Sequence, residues 1–238
     1  MRACVVLPTL NEAENLEALV RRLRETAPEV DVLIVDDDST DGTGAIADAL
    51  ARAEPAVRVL HRRGKKGYGE SLTEGFRAAL EAGADVVGSM DCDFSHDPGA
   101  LPSLLSAIEE ADLVIGSRYV AGGAIRSWGL YRTALSATAN AFVRALFAVP
   151  VRDCTSGFRA YRRTVLEAIP WGRLHSTGYS FLVEVLYWAT LSPERSVREV
   201  PICYVDRARG VSKMGVRQIL SGAANLIKLR LELARRKS

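Results

Sequence analysis

Apolar residues along this chain alternate between short solid blocks and longer stretches in which they recur every three or four positions. The blocks Ala3 to Pro8, Asp31 to Asp36, Val57 to Leu60, the run from Asp85 into Asp91, and Asp112 to Gly116 read as strands buried on both faces. Between them the helical period predicts helices from Asn11 to about Ala27, Gly42 to Ala53, Tyr68 to Ala82, and Asp97 to Glu110. Asn11 with Glu14 three residues on reads as a cap, and Asp97-Pro98 as a cap followed by a first-turn proline. Strands alternating with helices of this length predict an α/β fold. Its sheet is mostly parallel, Rossmann-like, with helices on both faces. Ligands bind beyond the carboxyl ends of such strands. The polar clusters fall there: Thr9 to Glu12, Asp36 to Ser39, and Asp91 to Asp93.

The second half is less regular. Tyr131 to Phe147 reads as helix, Gly157 to Tyr161 as extended, Tyr179 to Thr190 as a buried helix and Val197 to Val205 as a strand. Gly215 to Lys237 reads as an amphipathic helix with Val216, Ile219, Leu220, Ala223, Leu226 and Ile227 on one side. With no internal repeat, low-complexity segment or linker, one domain over residues 1–238 is expected.

Length and composition narrow the class. The 238 residues are 48% hydrophobic and 25% charged, ordinary for a soluble globular chain with a full core. Cys4, Cys92, Cys154 and Cys203 form no C-x-x-C pair, which argues against a zinc site or disulfide framework and suits a reducing, cytoplasmic setting. Arg2 leads directly into the first strand, so no signal peptide is expected. The most apolar stretches, Thr133 to Val143 and Tyr179 to Leu191, are too short to span a bilayer. The net charge of +2 is unevenly spread: Arg207 to Ser238 holds nine Lys/Arg and one acid, Glu232, giving that tail +8 and the remainder −6. A basic end on an acidic body suggests phosphate or a membrane surface as partner.

Candidate chemistry concentrates in four motifs. In "GSMDCDFSHDPG" (88–99), Asp91 and Asp93 lie at i and i+2 where a strand surfaces. On an extended backbone they would point to one side, and like charges that close call for a cation. Hard oxygen ligands favour Mg²⁺ or Mn²⁺, which complete their shells with phosphate oxygens and water. His96 reads as a turn residue rather than a ligand. "VDDDSTDG" (35–42) is open to several readings: solvated turn acids, an EF-hand-like loop, base or ribose recognition, or the D-x-D-x-T nucleophile loop of haloacid-dehalogenase-type phosphatases with Asp36 attacking phosphorus. "HRRGKKGYG" (61–69) is basic and glycine-rich but is not a P-loop, and reads as a loop over a nucleotide or as plain surface. Finally, "GSRYVAGG", "WGLYR" and "DRARGVSKMG" supply Arg118, Arg132, Arg207, Arg209 and Lys213, more cations than one phosphate requires.

Taken together, "LPTLNEAENL", "VDDDSTDGT", "MDCDFSHDP", "GSRYVAGG", "TSGFRAYRR" and "VDRARGVSKMG", in that order over residues 3 to about 230, resemble the polyprenol-phosphate mannosyltransferases (dolichol-phosphate mannose synthases) of glycosyltransferase family 2. The resemblance implies a GT-A fold, GDP-mannose as donor, a divalent metal (Mg²⁺ or Mn²⁺), a polyprenyl phosphate acceptor and transfer with inversion. It implies a nucleotide-binding half at 1–116, an acceptor-side half at 117–214 and an interfacial helix at 215–238. Carried over by residue, Pro8, Leu10, Glu12, Val35 and Asp37 would hold the nucleoside. Asp91, Cys92 and Asp93 would meet the metal and diphosphate, with Ser95 at a further ligand position. Arg118, Arg207 and Lys213 would contact phosphates, Arg118 and Arg132 that of the acceptor. Leu10 stands where such enzymes commonly carry an aromatic residue, and Cys92 where they commonly carry alanine. A lipid phosphate is already anionic, so no general base is required. The expected place is peripheral, at the cytoplasmic face of a membrane, reached through the basic helix or a membrane-bound partner, with no nucleic-acid partner. The alternatives are a sibling using UDP-glucose or another sugar nucleotide, and the phosphatase.

Overall fold

A computed structural model describes residues 1–64, 66–174, 176, 178–206, 222 and 225–231. In chain order its elements are β1 (Ala3–Thr9), α1 (Leu16–Thr26), β2 (Asp31–Asp36), α2 (Thr43–Ala53), β3 (Val57–His61), α3 (Tyr68–Glu81), β4 (Val86–Ser89), α4 (Leu101–Ala107), β5 (Leu113–Ser117), β6 (Ala124–Arg126), α5 (Leu130–Phe147), β7 (Arg159–Arg162), α6 (Arg163–Glu167), α7 (Tyr179–Ala189), β8 (Val197–Pro201) and β9 (Cys203–Val205). Seven strands form one sheet in the order β3-β2-β1-β4-β7-β5-β8. β7 alone runs antiparallel, inserted between β4 and β5. The mostly parallel α/β sheet is therefore as expected.

The solid apolar strands are explained by a core on each face. On one side Cys4, Val6, Leu33 and Val35 pack against α3 and α7. On the other, Val5, Leu7, Val32 and Ile34 pack against α1, α2 and α4. Alternation along a strand sends neighbours to opposite cores, so both must be apolar. The approach of α3 is close enough to require glycine: a Cβ at Gly75 would lie 2.5 Å from Val6 Cγ1 and 2.9 Å from Val35 Cγ2. Gly75→Ala should therefore destabilise the fold by about 1–3 kcal/mol, although alanine is the better helix former. The urea midpoint measures this, and an unshifted midpoint would contradict the contact.

Three local expectations change. α1 starts at Leu16, not near Asn11. Asn11 instead adopts φ 57° and turns its side chain to the loop after β2, where Oδ1 accepts from the Thr40 amide at 2.9 Å. β4 ends at Ser89, so Asp91 and Asp93 sit on a turn beyond it rather than on extended backbone. The single strand expected over 197–205 is two: β8 pairs with β5 in the main sheet, and after the buried Ile202 β9 pairs with β6 in a second, two-stranded sheet.

One buried cation went unforeseen. Arg159 of β7 is fully enclosed and donates to the carbonyls of Cys154 (2.7 Å), Ser156 (2.8 Å) and Leu182 (2.8 Å), tying the turn before β7 to α7.

Of the helix expected over 215–237, the described residues 225–231 are helical. Leu226 and Leu229 are buried in the core shared with α7, while Ile227 and Leu231 face outward, so Ile227 leaves the inward stripe. Arg230 Nε donates to the Leu146 carbonyl at the end of α5 (3.0 Å). Arg207 and Lys213, with most of that helix, lie outside the described residues. Among the described residues no helix is long and apolar enough to cross a membrane.

Candidate active site

The carboxyl ends of β1, β2 and β4 open into one cleft of about 290 Å³. Pro8, Thr9, Leu10 and Glu12 line it from β1, and Asp37 from β2. Asp91, Cys92 and Asp93 come from the turn after β4, and Gly67, Tyr68 and Ser71 from the start of α3. The sequence thus names seven residues that the fold gathers into one wall. Val35 is not among them; its side chain is fully buried in the core, against α3.

The turn after β4 is built to hold two carboxylates. Phe94 takes φ 59°, reversing the chain so that the Ser95 amide donates to Asp93 Oδ1 at 3.0 Å. Asp93 is 2% exposed. Asp91 is more open, and its Oδ1 accepts from the Tyr68 hydroxyl at 3.0 Å. Gly157 is confined by this pair, since a Cβ there would lie 2.7 Å from the Tyr68 hydroxyl and 3.3 Å from Asp91 Oδ1. Ser95 is fully buried behind Asp93 and does not line the cleft. Its hydroxyl makes no well-formed hydrogen bond, with the Tyr204 phenol close by.

The negative potential of this floor is registered by Cys92. Burial first, then the charges of Glu12, Asp93 and Asp91, push its thiol well above the usual range, so it is a neutral wall atom and no nucleophile. Two hard carboxylates on a negative floor suit a divalent cation such as Mg²⁺ or Mn²⁺. Among the described residues no group of three His, Cys, Asp or Glu is placed to cage one. Substrate phosphate and water would therefore complete the shell. The donor set fits a divalent cation whose remaining positions are filled by phosphate oxygens or water.

The acidic loop after β2 is largely neutralised by the basic loop after β3. The buried Arg62 pairs with Asp37 Oδ1, contacts Ser71 Oγ at 3.2 Å and reaches Glu74 Oε1 at 2.9 Å, while the Gly67 amide donates to Asp37 Oδ2 at 2.7 Å. Lys66 lies 3.2 Å from Asp38. Asp36 points away from the cleft, with His61 Nδ1 3.3 Å from its Oδ2. A phosphatase nucleophile at Asp36 is thereby disfavoured, and the loop after β3 is anchored at Asp37.

On the far side, Arg118 is placed otherwise than expected. It is 9% exposed and bidentate to Asp153, Nε to Oδ2 and Nη2 to Oδ1, both 2.7 Å, with Nη2 also donating to Thr155 Oγ1 at 2.8 Å. Burial opposes both charges, but the mutual hydrogen bonds and attraction outweigh it. The Asp153 carboxyl sits below the usual carboxylate range, and the guanidinium stays charged. Arg118 also lies over the rings of Tyr119, Trp128 and Tyr204, 5.3–5.7 Å from their centroids. Arg132 stacks on the other wall residue, 4.2 Å from the Trp128 centroid; it is a third exposed and bonds Asp206 at 2.8 Å. The sequence reading missed Tyr68, Arg62 and Asp153. Tyr68, between two glycines in "KKGYG", offered a signal; an aspartate in "VRDCTSG" did not.

An acidic cleft across the carboxyl ends of a mostly parallel sheet places this chain among glycosyltransferases of GT-A type. Its sheet overlays glucosyl-3-phosphoglycerate synthase from Mycobacterium tuberculosis, solved with Mn²⁺, uridine diphosphate and glucosyl-3-phosphoglycerate, with a TM-score of 0.69 at 21% identity over 95% of this chain and 77% of that one. The chain belongs to glycosyl transferase family 2, whose family model matches residues 4–169. Polyprenol monophosphomannose synthase of Mycolicibacterium smegmatis is 48% identical over 215 residues, 90% of this chain and 81% of the relative. Undecaprenyl-phosphate mannosyltransferase of Micrococcus luteus is 45% identical over 214 residues, 90% and 88% respectively. This protein is a glycosyltransferase whose curated relatives mannosylate polyprenol phosphates.

Proposed function

We propose that this protein transfers mannose from GDP-mannose to a polyprenyl phosphate with inversion, giving a β-linked polyprenyl-phosphate mannose. The observation that carries the reading is the cleft lined by Glu12, Asp37, Asp91 and Asp93, in a chain whose relatives are named as polyprenol-phosphate mannose synthases and mannosyltransferases. Pro8, Leu10, Glu12 and Asp37 hold the nucleoside, with Arg62 fixing the Asp37 carboxylate. Asp91 and Asp93 would hold a divalent cation, which supplies positive charge to the departing diphosphate, a contribution of several kcal/mol in a water-poor site.

Neither cleft carboxylate is needed as a base, because the acceptor phosphate arrives deprotonated. Arg132 meets that phosphate in exchange for Asp206, with Arg118 behind it across the Trp128 ring; Arg207 and Lys213, outside the described residues, are further phosphate contacts implied by the family resemblance. Exposed Leu130 and Tyr131, 91% and 73% exposed, flank Arg132 and give the lipid chain an apolar landing place. Together with the +8 tail they support a peripheral position at the cytoplasmic face of a membrane.

Labelled GDP-mannose and UDP-glucose offered in parallel, with polyprenyl phosphate and Mg²⁺ or Mn²⁺, test the reading. Label should enter the organic phase from GDP-mannose and vanish with EDTA. Label from UDP-glucose alone, or none under either metal, would overturn it.

A further inference from the structure

The mechanism above leaves one buried group beside the carboxylates unused. His96 is 2% exposed, packed between the rings of Phe158 and Tyr204 at 5.4 and 5.5 Å. Its Nδ1 is buried and makes no hydrogen bond, yet lies 3.9 Å from Asp91 Oδ2. The opposite oxygen of the same carboxylate is held by Tyr68. A polar nitrogen buried at an apolar site is costly unless it serves a partner. Phe158 and Tyr204 flank the ring on two sides.

We propose that His96 is a positioning residue for Asp91: with Tyr68 on Oδ1 and His96 Nδ1 facing Oδ2, the two side chains help to hold the carboxylate in the orientation that receives the cation. At 3.9 Å the pair is outside hydrogen-bond distance, and the carboxylate would have to rotate toward the ring to close the contact. In the tautomer with its hydrogen on Nδ1 the ring donates to the acid. This rests on the metal-binding reading of Asp91 and Asp93, and extends it to a residue that touches neither cation nor nucleotide. Partners of this kind typically change metal affinity or activity by about 10–100-fold.

The test compares three variants. His96→Asn places an amide near the Nδ1 position, His96→Gln places one near Nε2, and His96→Phe fills the space with no polar atom. Binding of Mn²⁺ alone, followed by electron paramagnetic resonance of the free ion, should weaken by about tenfold or more in H96F and H96Q, while H96N recovers most of the loss. Turnover should follow the same order, and H96Q and H96N should melt alike. Equal Mn²⁺ affinity in H96N and H96Q, or a wild-type value in H96F, would overturn the proposal. If H96F fails to fold, the H96N and H96Q pair decides it. Asp91→Asn serves as control: Mn²⁺ binding that survives D91N would show that the metal reading had failed, not the role of His96.

Discussion

Asp93→Asn should lower kcat/KM by about a thousandfold, roughly 4 kcal/mol of transition-state stabilisation, while leaving the fold at least as stable as before. The substitution is isosteric, and the Ser95 amide still has an oxygen to donate to. What it removes is one of two neighbouring charges beside Cys92, whose thiol is raised first by burial and then by the charges of Glu12, Asp93 and Asp91. Without metal, that relieves repulsion, so the melting temperature of the variant should not fall. With metal the order reverses. Mn²⁺ and a nucleoside diphosphate should raise the wild-type melting temperature and leave the variant nearly unmoved, because only a group that binds the folded state stabilises it. A variant that keeps wild-type turnover, or still gains stability from Mn²⁺, would remove Asp93 from the site.

The same turn departs from the backbone that its sequence pattern predicts. Period-2 reasoning puts Asp91 and Asp93 on one side of an extended strand, yet the strand stops at Ser89 and a left-handed Phe94 brings both acids to the cleft. The reading of Asp91 and Asp93 as a cation site rests on their charge and not on backbone shape, so the turn leaves it standing as a proposal. Elsewhere local pattern was enough: apolar blocks place β1, β2 and β3 within a residue or two of their ends, and the cleft lies where the ends of β1, β2 and β4 meet.

Long-range pairing was out of reach of the pattern. "GFRAY" reads as extended, but nothing in five residues states that β7 runs against its neighbours or slots between β4 and β5. Asn11 has the sequence of a cap, and tertiary context overrides it by offering the Thr40 amide. Arg118 was legible as a cation and not as half of a pair, since its partner Asp153 lies 35 residues away in a turn with no motif of its own.

That pair makes the second large expectation, one of stability. Asp153→Ala should destabilise the protein by about 3–5 kcal/mol, because it leaves the Arg118 guanidinium buried with no opposite charge. For a chain of this size that corresponds to roughly 6–20 °C in melting temperature. Arg118→Leu combined with Asp153→Leu should recover much of the loss, since a paired charge swapped for apolar volume costs less than an orphaned one. The pH dependence has a fixed sign. The Asp153 carboxyl is depressed in the folded state, so its contribution is fully present above the unfolded carboxylate value of about 3.9 and is lost as the pH falls through the lower folded value. Between pH 7 and 5 the difference between wild type and Asp153→Ala should therefore stay constant, and it should shrink only below pH 4. Urea melts across that range measure it. A gap that closes already at pH 6, or a double variant no better than the single one, would mean that packing and not the ion pair holds this wall.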